Sequence, residues 1–131
     1  LAFKLRKKRQ SSPIEYYLMT DGEAVTAGEA LVQTNGRLTL CGATTTPEFI
    51  ALKTQAAEAT SVTPVPVIRI TEDQEWKTKA NATVANTLVG SKVTLHTDAL
   101  VVTATTTSGV FEISYTDGAT GGGVVYGYFR R

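Results

Sequence analysis

Forty of the 131 residues are threonine, valine or isoleucine (22, 13 and 5), and these β-branched side chains constrain the fold more than any other feature. Two heavy substituents on Cβ cost rotamer freedom in a helix, yet they pack well on a pleated surface. Eleven glycines supply turns. The expectation is an all-β fold: a small antiparallel β-barrel or sandwich-like domain with an extended N-terminal arm. A chain of this length makes one domain and hides roughly two-thirds of its unfolded surface, enough for a core without covalent staples.

Period-two alternation and turn chemistry place the strands. A first strand is expected over 14–19, with turns at Asp21-Gly22 and around Gly28. Leu31, Gln33 and Asn35 alternate with Val32 and Thr34, and alternation resumes at Leu38, Thr39 and Leu40. Asn35-Gly36 between them suits a type I′ hairpin turn, because both positions need positive φ. Thr46-Pro47 and the alanines that follow would allow a helix over 46–59, but a strand over 48–53 with an alanine-rich loop after it is preferred. Residues 65–71 read as a strand whose early part, beside Pro64 and Pro66, should be an edge or unpaired. Residues 72–79 read as a loop or irregular strand around Trp76. The C-terminal third offers four strands, over 92–96, 100–106, 110–116 and 124–129, with Phe111, Ile113 and Tyr115 on the core face.

Charge is unevenly spread. Lys4, Arg6, Lys7, Lys8 and Arg9 give the first ten residues +5, no acid precedes Glu15, and residues 11–131 carry −4. A basic arm therefore precedes an acidic body. Residues 1–13 show no sustained period and end in Ser11-Ser12-Pro13, so they read as an extended arm and not as the first core strand. Such an arm should be poorly ordered by itself and ordered against a partner, while residues 14–131 form the single β domain. Docking of the arm onto an acidic protein surface is preferred over nucleic acid, since only Phe3 among its charges could stack on a base. A start methionine is not usually removed before leucine, so the chain is expected to be a trimmed product. No apolar run exceeds about four residues, which predicts a soluble protein with no membrane partner.

Chemistry-bearing patterns are sparse. His96 and Asp98 share a strand face, but no G-x-S-x-G or comparable nucleophile motif accompanies them. Cys41 is the single cysteine, which excludes an internal disulfide and a multi-cysteine zinc site, and no basic neighbour stabilises a thiolate. Glu72, Asp73 and Glu75 lack the spacing of a calcium loop. Gly121-Gly122-Gly123 has neither the Lys-Ser/Thr nor the helix of a phosphate loop, and Asn81-Ala82-Thr83 is a sequon without a secretory signal. No enzymatic activity, cofactor or metal is expected. The candidate partner-binding residues are Lys4, Arg6, Lys7, Lys8 and Arg9, with Trp76, which in its polar setting is either a core plug or an interface anchor.

The run Asp21-Gly-Glu-Ala-Val-Thr-Ala-Gly-Glu-Ala-Leu-Val, then Asn35-Gly-Arg-Leu, Thr46-Pro-Glu-Phe-Ile-Ala-Leu and Val67-Ile-Arg-Ile, carries a resemblance. With the glycine-broken hairpin over 109–129, it resembles the head decoration (cement) proteins of tailed bacteriophages across residues 16–129. The resemblance implies a compact β-barrel-like domain on the outer surface of the capsid. Such a virion protein clamps neighbouring major capsid proteins, commonly as a trimer, and the family has no shared catalytic residues. The stretch Val25-Thr-Ala-Gly-Glu-Ala-Leu-Val is also similar to biotinyl and lipoyl carrier domains. Those display a lysine at a hairpin tip, where this chain has Asn35-Gly36. A third class is a carbohydrate- or cell-surface-binding β module, with Trp76, Tyr126 and Tyr128 as its platform.

Overall fold

The structure, a computed structural model, describes residues 2–7 and 13–130. Its strands are β1 (Lys4–Lys7), β2 (Ile14–Tyr17), β3 (Ala30–Thr34), β4 (Arg37–Leu40), β5 (Phe49–Ala51), β6 (Val65–Arg69), β7 (Glu75–Lys79), β8 (Lys92–Val93), β9 (Phe111–Thr116) and β10 (Val124–Phe129). They form two antiparallel five-stranded sheets: sheet A in the order β1-β7-β10-β9-β8 and sheet B in the order β2-β6-β5-β3-β4. The sheets do not close into a barrel, so the all-β fold is sandwich-like.

Two cores follow from this layering. Trp76, Val93, Phe111, Ile113, Val125 and Phe129 of sheet A pack with Ala30 and Ile50 of sheet B. On the other face of sheet B, Leu31, Leu38, Phe49, Ala51, Val65 and Val67 are covered by Met19 and Val25. A sheet buried on both faces needs apolar residues at consecutive positions, which is why β5 reads Phe-Ile-Ala with no polar alternation.

The β3–β4 hairpin turns at Asn35 (φ 52°) and Gly36 (φ 78°), as a type I′ turn requires. Over 46–59 the structure has strand β5 and no helix. Elsewhere the sequence expectations need correction. β6 is internal, between β2 and β5, so Pro66 is not on an edge. Its carbonyl accepts from the Leu52 amide at 2.9 Å, and β5 ends at Ala51, where the missing proline N–H would have been needed. Residues 72–79 divide: 72–74 are a turn, and 75–79 form β7, a regular strand between β1 and β10. Over 100–106 no regular strand forms. Val102 makes isolated bridges to Ala80 and Leu95, and Thr103 spends its hydroxyl on Thr94 and on the Thr105 amide. Such local side-chain bonding competes with a ladder.

The alternation in β9 breaks at a bulge. Tyr126 lies opposite Tyr115 and Gly127 opposite Ile113, which leaves Ser114 as the extra residue. Phe111 and Ile113 point into the core as expected, but Tyr115 is turned out, 46% exposed, and Thr116 takes the inward place. Gly127 permits this: a Cβ there would stand 2.2 Å from the Glu112 carbonyl oxygen and 2.6 Å from the Phe111 ring.

The arm expectation is also corrected in its first half. β1 pairs with β7, Lys4 opposite Lys77 and Leu5 opposite Trp76, so it is a strand of sheet A. Phe3 is buried against Phe111 and Phe129, with ring centroids at 5.7 and 4.9 Å. Its amide bonds to the Gly28 carbonyl at 3.2 Å. Burying a phenylalanine is worth roughly 2–3 kcal/mol, enough to seat a strand whose charges could not order it alone. Residues 8–12, with Lys8 and Arg9, lie outside the described residues.

Candidate functional site

The outer face of sheet A gathers the charged and aromatic side chains that the core strands cannot bury. In β7, Trp76 and Thr78 point inward, and Glu75, Lys77 and Lys79 take the other face by the two-residue period. Register then aligns Lys4, Lys77, Tyr126 and Tyr115 in one row across β1, β7, β10 and β9. Tyr128, Glu112 and Lys92 form another row across β10, β9 and β8. Tyr115 and Tyr126 stack with centroids 4.8 Å apart and planes 30° apart.

Two arginines are set into this surface. Arg6 pairs with Glu75 and lies 4.3 Å above the Tyr126 ring, while Arg130 lies 4.7 Å above Tyr128 and 3.3 Å from Glu112. A guanidinium over a tyrosine face gains from the ring quadrupole, on the order of 1 kcal/mol where exposed. Glu75 is buried although charged, and Ser114 also donates to it at 2.8 Å. The hydrogen bond from Arg6 to Glu75, above its other contacts, raises the Arg6 pKa further. The face thus presents Lys4, Arg6, Lys77, Lys79, Lys92 and Arg130 against Glu75 and Glu112, both of which engage an arginine. Glu72 and Asp73 border it beside Tyr128 and Arg130.

Of the sequence candidates, Lys4 and Arg6 are on this face and Lys7 is in β1, whereas Trp76 points inward. It is 1% exposed, packs edge-on against Phe129 at 6.1 Å, and belongs to the core. Lys77, Lys79, Lys92 and Arg130 are not among the sequence candidates, and Tyr115 was expected in the core. The alternation Glu-Trp-Lys-Thr-Lys would have found two of them, whereas Tyr115 needed the bulge.

The other chemical candidates are dispersed. The His96 ring meets Asn81 at 3.2 Å, while Asp98 accepts from the Leu100 amide. Cys41 is buried, its thiol directed at the Thr45 carbonyl at 3.0 Å, and burial, aided by the charge of Glu48, pushes its pKa up to about 12. Glu75 is engaged by Arg6, and among the described residues no three potential ligands cluster for a metal. No described helix is long and apolar enough to cross a membrane. No protein-family model matches the chain, and comparison with curated proteins finds no match.

Proposed function

We propose that this protein is a non-catalytic decoration (cement) protein of a tailed-bacteriophage head. It docks on the outer surface of the capsid through the outer face of sheet A, bridges neighbouring major capsid proteins, and sits beside further copies of itself as a trimer. The observation that supports this most is the composition of that face: six cations interleaved with three tyrosines, its two acids already engaged by arginines. A surface of that kind is complementary to an acidic protein surface, which it would steer toward and orient on. The tyrosines add flat contact area at low entropic cost.

Binding to purified capsids that lack a decoration layer tests the reading. Lys77→Glu with Lys79→Glu should lower occupancy at least tenfold, with Lys53→Glu, off the face, as the control. Electron microscopy should show density for the domain at regular sites on the shell. Full binding by the doubly reversed protein would refute docking through this face. Tight binding of naked DNA by the wild type, lost in the same variant, would move the face to nucleic acid.

A carbohydrate- or cell-surface-binding module is the second reading, favoured by Tyr115, Tyr126 and Tyr128 lying on one face. A defined glycan retained on an array, and lost in Tyr115→Ala, would support it over the first.

A further inference from the structure

β1 and β2 are edge strands of sheets A and B, each paired on one side only among the described residues. Beside β1, between it and the β5–β6 part of sheet B, lies a cleft of about 300 Å³, lined on its apolar walls by Phe3, Leu5, Ile50, Leu52, Ile68 and Trp76. Register continues this lining outward across sheet B. Ile50, Ile68 and Ile14 form one row, and Leu52, Pro66 and Tyr16 the next. Ile50 is covered, but Ile14 is 52% exposed, Tyr16 63% and Leu52 40%.

Two features specify what fits. An unpaired strand edge offers a row of N–H and C=O groups that another extended strand satisfies. The Phe3 amide is already used by Gly28, so the free edge begins at Lys4. The two-residue period holds over Lys4 and Leu5, before β1 bulges between Leu5 and Lys7: next to Leu5 the newcomer's side chains point into the apolar cleft, and next to Lys4 they lie on the cationic outer face.

We propose that this cleft receives an extended segment of a partner protein, in which leucine- or valine-like residues alternate with carboxylates, added to β1 as a sixth strand of sheet A. The inference rests on the edge and the cleft, and holds whether or not the partner is a capsid protein.

The probes are synthetic peptides of about nine residues that alternate aspartate with leucine or valine, together with matched peptides in which lysine replaces aspartate. They are titrated into the full chain. Trp76 is the single tryptophan and lines the cleft, so its fluorescence reports occupancy, and amide hydrogen exchange at Lys4–Lys7 reports strand addition. The acidic peptides should shift Trp76 emission and slow exchange in β1, and the lysine peptides should bind at least tenfold more weakly. Leu52→Asp, at an exposed position, should weaken binding about tenfold or more, whereas Leu40→Asp on the opposite edge of sheet B should not. Four results would each overturn the proposal: no binding of the acidic peptides at millimolar concentration, binding without protection of the β1 amides, unchanged binding by Leu52→Asp, or self-association of the chain that Leu52→Asp abolishes, which would assign the cleft to a second copy.

Discussion

Glu29 is the residue whose surroundings are least suited to its charge. It is buried just before β3, accepts from the Thr26 amide at 3.3 Å, and leaves Oε2 with no partner among the described residues. Burial above all, offset in part by the Thr26 amide and reinforced by the charges of Glu23 and Asp98, raises its pKa to about 7. The folded chain therefore holds a proton that the unfolded chain releases near pH 4.5. The stability this proton confers is full below about pH 4.5, falls as pH rises, and is lost above about pH 7. Between pH 5 and 8 the loss should be about 2–3 kcal/mol, or about 5–10 °C in Tm. Thermal melts of the wild type and Glu29→Gln should diverge by that amount, and parallel pH profiles would contradict the assignment. Cys41, which has no basic neighbour in sequence to stabilise a thiolate, sits in the core as a small buried group. Glu29, in contrast, was illegible, because only the tertiary fold brings Asp98 and the end of β5 to it.

At the scale of elements, β1 shows how a strand can be made by its slot. Four residues with one inward apolar side chain have no detectable period, yet β7 offers an edge and the aromatic cluster offers a seat for Phe3. Phe3→Ala should cost about 3–5 kcal/mol, measured by denaturant unfolding. Deleting residues 1–7 should lower Tm more still, since Trp76 and Phe129 would lose their cover; an unchanged Tm would restore the reading of a detachable arm. The β9–β10 pair makes a second case. Gly127→Ala forces a methyl group against the Glu112 carbonyl, and should cost at least about 2 kcal/mol and disturb the stacking of Tyr115 on Tyr126. The β3–β4 turn was legible from two residues, and Gly36→Val should destabilise it by about 1–2 kcal/mol, because a β-branched side chain is disfavoured at φ 78°.

Over the whole molecule, charge is sorted by surface as well as by sequence. Of the N-terminal cations, Lys4 and Arg6 join Lys77, Lys79, Lys92 and Arg130 on one sheet face. Acids such as Glu15, Glu48 and Glu58 bond elsewhere, to Arg69, the Gln33 amide and the Thr63 hydroxyl. If this polarity drives docking, affinity for undecorated capsids should fall steeply between 0.05 and 0.5 M salt, because the Debye length shrinks from above about 10 Å to well below it. Affinity independent of salt, followed by co-sedimentation, would mean that apolar contacts govern docking instead.

Read alone, the chain specifies the all-β class, the type I′ turn at Asn35-Gly36 and the inward positions of Phe111 and Ile113, because each depends on local sterics or on a period of two. It also separated the basic start of the chain from the acidic remainder. That β1 is a strand, that Pro66 sits inside a sheet, that Trp76 is core and that Tyr115 faces outward all come from long-range packing. Each of these depends on a neighbour distant in sequence: an edge on β7, the end of β5, the ring of Phe129, and a bulge that a single glycine across the ladder makes possible. The cationic tyrosine face is the sum of those decisions, since its rows come from five strands that only the register of sheet A aligns.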